Sequence, residues 1–83
     1  MADNINAKLA RKLNYSGVER MDAEENIARI LADLVRFADG CTADGVPTVL
    51  SKAYELSMAY ERYVAAKAKH AAYEKALAIM QDD

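Results

Sequence analysis

Apolar and polar residues recur along this chain with the period of an α-helix rather than a strand. From Met21 to Asp39, the residues Ile27, Ile30, Leu31, Leu34, Val35 and Ala38 follow the i, i+3, i+4, i+7 rule, with Arg29, Asp33 and Arg36 opposite. Asp33 is placed to pair with either arginine. Asp22 suits the start of this helix, and Glu25 three residues later completes a capping-box pattern. Gly40 supplies a left-handed stop. Phe37, the one phenylalanine, flanks the apolar stripe. A helix over 21–39 is the expectation.

The segment Pro47 to Met80 contains no glycine, and its proline stands first, where a helix accepts it. Good helix formers fill it, so it predicts one helix of about 51 Å. Val49, Leu50, Ala53, Leu56, Tyr60, Tyr63 and Val64 form its stripe, while Lys52, Glu55 and Arg62 face away. The connection over 40–46 is short, which predicts antiparallel neighbours. The second helix then overshoots the first by about 20 Å. The overhang, Ala65 to Met80, is ringed by alanines with Tyr73, Leu77, Ile79 and Met80 added.

Residues 1–20 carry a weaker pattern. Ile5, Leu9 and Leu13 recur every fourth residue, with Lys8, Arg11 and Lys12 turned away and Asp3 or Asn4 as a cap. A helix of about nine residues does not persist alone in water, so it must dock or stay unfolded. Asn14-Tyr15-Ser16-Gly17 reads as a turn. The segment enters beside the overhang and can cover one side of it. The other side is left for a second subunit or a foreign partner. The expected fold is one all-α domain: a short N-terminal helix plus a long antiparallel helical hairpin.

Composition adds a need for support. At 83 residues the chain is a single small domain, a size that is marginal without disulfides, metal or oligomerisation. One cysteine and one histidine allow neither a disulfide framework nor a structural zinc site. Self-association remains, with a dimer the favoured state. The net charge of −2 argues against a nucleic-acid partner. The opening Met-Ala-Asp-Asn-Ile-Asn has no apolar signal core, and no apolar run is long enough for a membrane span. A cytoplasmic protein is expected.

Candidate chemistry is sparse. Tyr54, Tyr60, Tyr63 and Tyr73 all fall on the long helix, and tyrosine is favoured at interfaces. The stripe explains Tyr60 and Tyr63 as core-edge packing, whereas Tyr73 points away from it. Arg62, Lys67, Lys69, His70 and Lys75 make a loosely basic region, but helical angles scatter these charges and Glu61 and Glu74 dilute them, so it reads as an ordinary solvated face. His70 has one local carboxylate, Glu74, and such a pair on a helix surface is commonly inert. Cys41 follows a helix C-terminus, which does not favour a thiolate. No phosphate loop, nucleophile elbow or metal-loop spacing is present. The reading is a non-enzyme with no cofactor and no metal. The candidate partner-binding residues are Arg62, Tyr63, Lys69, His70 and Tyr73.

The stretch Asp33-Leu34-Val35-Arg36-Phe37-Ala38-Asp39, the Gly/Asp loop, Ala53-Tyr54 and Tyr60 resemble short helical proteins of tailed phages and prophages. The likeness spans roughly residues 27–60 and carries over no reaction and no site residue. It implies a phage or mobile-element accessory protein in the host cytoplasm. Such proteins often bind and block a host or defence complex, anti-CRISPR factors included. Two other readings stand beside that inhibitor: an oligomeric sponge for a small anion such as a nucleotide, using Arg62, Lys67, Lys69 or Lys8, Arg11 and Lys12, and a structural part of a virion.

Overall fold

The computed structural model describes residues 2–81, with side chains from residue 5 onward. The chain is almost entirely helical. Helix α1 runs Ala2–Ala38, a single 3₁₀ turn spans Ala43–Gly45, and helix α2 runs Val46–Gln81. The molecule is a rod of 63 × 15 × 13 Å. The two helices lie side by side. Asp33 of α1 meets Lys52 of α2, Glu19 meets Lys69, and Ser16 meets His70.

The loop follows the expectation. Gly40 has φ 68°, the left-handed conformation that ends a helix, and it carries no Cβ to resist it. The Asp39 amide still donates to Val35 at 3.0 Å, and the Cys41 amide donates to Ala38 at 3.1 Å. The Gly45 amide closes the 3₁₀ turn on Thr42 at 2.9 Å. Pro47 falls in the first turn of α2, where its missing N–H costs nothing.

The N-terminal half differs from the expectation. No turn interrupts 14–17, and no separate short helix or second start at Asp22 exists, because α1 is continuous for 37 residues. It nearly equals the 36 residues of α2, so α2 has no overhang. The proposed caps, Asp3 and Asn4, have side chains outside the described residues. A mid-helix glycine costs about 1 kcal/mol relative to alanine, and packing against α2 overrides that local preference.

The covered positions explain why. In α1 the inner line is Asn6, Leu9, Leu13, Ser16, Arg20, Ala23, Ile27, Ile30 and Leu34, with Gly17, Glu19, Asn26 and Asp33 partly covered beside it. In α2 it is Val49, Lys52, Leu56, Ala59, Tyr63, Ala66, His70, Tyr73, Leu77 and Met80, with Ala76 partly covered beside it. Both series step by three and four residues alternately, the heptad spacing that keeps one narrow seam facing a neighbouring helix. The seam is thin. Among the described residues only Ser16 and Ala59 are buried.

A helix with one neighbour cannot bury a wide apolar arc. Ile27, Ile30 and Leu34 of the expected α1 stripe are partly covered, but Leu31, Val35 and Ala38 are exposed. In α2, Val49, Leu56 and Tyr63 are covered, whereas Leu50, Ala53, Tyr60 and Val64 are not. Lys52, expected to face solvent, belongs to the seam. Its stem is covered while its ammonium reaches Glu55 at 3.4 Å and Asp33 at 4.0 Å. Ile5 is exposed, unlike Leu9 and Leu13.

The seam predicts a contrast in stability. Leu34→Ala removes a seam side chain and should cost about 2 kcal/mol. Val18→Ala, at an exposed site outside the seam, should stay within about 0.5 kcal/mol. Chemical denaturation followed by circular dichroism measures both.

Candidate functional site

Two side-chain groupings join the helices, and both lie in the half of the rod away from the loop. The first is a polar knot. Ser16, 1% exposed, places Oγ 2.9 Å from the Leu13 carbonyl and 2.9 Å from His70 Nδ1. His70 Nε2 lies 2.8 Å from Glu74 Oε1, one helical turn along α2. Gly17 sits over the imidazole: a Cβ there would stand 3.2 Å from His70 Cε1. The glycine therefore serves a close approach between helices rather than a turn.

The hydrogen-bond roles in this knot depend on the tautomer of the imidazole. The serine hydroxyl has one hydrogen, and donating it to the Leu13 carbonyl leaves Oγ to accept from Nδ1–H. The Glu74 carboxylate only accepts, so Nε2–H must donate to it. All contacts are met together by the doubly protonated ring. With a neutral ring protonated at Nε2, Nδ1 must accept, and the serine hydrogen turns away from Leu13.

Hydroxyl, imidazole and carboxylate in series resemble a nucleophilic triad in composition. The surroundings do not suit that chemistry. Ser16 Oγ is enclosed, so a substrate carbonyl cannot reach it, and helix hydrogen bonds occupy the nearby backbone amides that an oxyanion would need. The arrangement instead fixes the register of two helices with a satisfied polar contact.

One turn closer to the loop, Arg20 continues the polar character of the seam. Its Nε is enclosed without a hydrogen-bond partner, and the nearest carboxylate, Glu24 Oε1, is 3.8 Å away. That separation counts as an ion pair but is too long for a hydrogen bond.

The second grouping is a shallow groove of about 420 Å³ lined by Arg11, Lys12, Tyr15, Lys69 and Tyr73. Three basic residues and two tyrosines line it. Lys69 has a carboxylate nearby, Glu19 at 3.7 Å. Among the described residues, Arg11 and Lys12 have none within ion-pair distance. A smaller groove of about 220 Å³ lies nearer the loop, lined by Asn26, Ile30, Tyr54, Glu55, Met58, Ala59 and Arg62.

The five residues singled out from sequence are thus separated. Lys69 and Tyr73 share the cationic groove, where Tyr73 is half-covered rather than turned to solvent. His70 lies in the knot and Tyr63 in the seam, its ring 6.3 Å from that of Tyr60. Arg62 lines the other groove. Sequence reasoning missed Tyr15 and Ser16 because both were assigned to a turn. The three-four spacing from Asn6 through Leu34 was the signal that α1 does not break there.

No protein-family model matches the chain, and no curated protein or solved structure is similar to it. Among the described residues, no helix is long and apolar enough to cross a membrane.

The knot makes a testable demand on Gly17. In an ordinary helix interior Gly→Ala stabilises by about 0.5–1 kcal/mol. Here Gly17→Ala should be neutral or destabilising, because the new methyl meets the imidazole. In a His70→Ala background the same change should recover the ordinary gain. Urea melts of the four proteins of this double-mutant cycle measure the coupling.

Proposed function

We propose that the chain is an antiparallel two-helix coiled coil that works as a non-enzymatic protein-binding factor. It takes an acidic segment of its partner along the groove of Arg11, Lys12, Tyr15, Lys69 and Tyr73. The observation that carries this reading is the meeting of three cations and two tyrosines on one flank. Cations beside aromatic walls recognise carboxylates next to apolar side chains, and aromatic and arginine anchors are the residue types that dominate binding energy. A two-helix rod whose Ser16 hydroxyl is enclosed between the helices is suited to act by occupying a surface. The resemblance to phage accessory proteins supports the narrower form of this reading: an inhibitor that occludes a host or defence complex.

The same groove supports a second reading. Tyrosine faces flanked by cations also suit a nucleotide, with the base stacked and the phosphates neutralised. A nucleotide present at 100 times its dissociation constant would stabilise the fold by about 2.7 kcal/mol, which a thermal-shift series detects. The protein-binding reading expects no shift.

Charge reversal tests the groove. Arg11 and Lys12 are exposed and outside the seam, so Arg11→Glu with Lys12→Glu should leave the melting curve nearly unchanged. Affinity capture from host lysate should then lose the partner bands retained by wild type and by a Lys75→Glu control. Equal capture by all three proteins overturns the assignment. Tyr73→Ala is a poorer probe, since it also opens the seam.

A further inference from the structure

We infer that a second copy of this chain covers the flank opposite the cationic groove, giving a twofold four-helix dimer. This goes beyond the protein-binding reading and leaves that groove free.

The inference starts from position. Met21, Leu31, Val35, Leu50, Tyr60 and Val64 each stand one residue after a seam residue: Arg20, Ile30, Leu34, Val49, Ala59 and Tyr63. All six are exposed, from 44% at Leu31 to 66% at Val35. Residues one place before the seam carry more charge, with Lys12, Glu19, Asp33, Glu55, Arg62 and Lys69 among them beside Ile5, Tyr15, Met58 and Ile79. Glu19 and Lys69 meet across the helices at 3.7 Å, so the preceding positions share one flank. The following positions therefore share the other. The preceding flank carries most of the charge beside the seam. The following flank carries Glu24, Lys67 and Glu74 farther from the loop, and toward the loop, from Ala28 to Val35 and from Leu50 to Val64, its positions are uncharged.

Area and charge together favour a second copy as the occupant. A compact chain of 9.1 kDa exposes about 4,900 Å² by the scaling for folded monomers, whereas this one exposes 6309 Å². A stable interface removes about 800 Å² from each partner, well within that excess of about 1,400 Å². The uncharged stretch toward the loop is complementary to itself, as a twofold interface requires of one patch on both subunits. It offers nothing to select a charged foreign surface. Two helix pairs packed through such faces enclose Leu31, Val35, Leu50, Tyr60 and Val64 in a common core, the arrangement of a four-helix bundle.

The test is the solution mass by light scattering across a concentration series. Wild type should give twice the 9.1 kDa chain mass. Val35→Glu and Val64→Glu alter exposed positions outside the seam, and each should raise the dimer dissociation constant by about 100-fold or more, because the carboxylate would be enclosed without a partner. Val18→Glu, also exposed but on neither the seam nor this flank, should keep the wild-type mass. Should either glutamate variant lose its helix, a cysteine probe replaces it. In a Cys41→Ser background, Val64→Cys should crosslink to a dimer on oxidation much faster than Val18→Cys. A single-chain mass throughout, a mass other than two chains, a dimer indifferent to both glutamates, or equal crosslinking rates overturns the inference. A helical single chain would leave the flank to solvent or to a foreign partner.

Discussion

A helix with a single neighbour can hide only the narrow line of side chains that faces it. This constraint governs the rest of the molecule. Two helices of 37 and 36 residues share one seam, which repeats every three and four residues along both. Within that line the chain places Ile27, Ile30, Leu34 and Leu56 toward the loop and Leu9, Leu13 and Leu77 at the far end, with Ser16 and His70 between them. The polar stretch is no defect of the core. Ser16, His70 and Glu74 bond to one another and to the Leu13 carbonyl, and Gly17 lets the imidazole approach. A continuous apolar seam would tolerate sliding by a heptad, whereas a polar contact with one geometry does not.

The same constraint shows which parts of the fold were legible in the sequence. Helix formers, the stop at Gly40 and the short connection are local signals, and they gave the all-helical class and the loop. The break at 14–17 was a misreading. Asn, Ser and Gly together resemble a turn, but Ser16 and Gly17 are there for His70, 54 residues from Ser16. Local propensity cannot report such a distant demand. The stripes were also read too wide, because Leu31, Val35, Leu50 and Val64 are as apolar as the seam residues beside them. Only the number of neighbours separates covered from uncovered, and a single chain does not state that number.

Of the candidate site, Lys69 and Tyr73 were legible and their company was not. Arg11, Lys12 and Tyr15 join them only because α1 continues unbroken past Gly17. Tyr63 was placed on the stripe as core-edge packing, whereas His70 was read as part of a solvated basic face. The structure uses the His70 ring nitrogens inside the seam, where they reach Ser16 and Glu74, and partly covers Tyr63 there. The uneven spread of charge between the two flanks follows from the residues that bracket the seam, most of the charged ones standing one place before a seam position.

The slender shape has a further consequence for how the chain behaves in solution. Its radius of gyration is 18.6 Å, against about 12 Å for a compact domain of this length. A rod tumbles and drags like a heavier sphere. On a sizing column calibrated with globular standards even one chain would elute early and imitate an assembly. Elution volume therefore says little about how many copies travel together, and diffusion slowed by shape alone would lower the rate at which the chain finds any surface it binds.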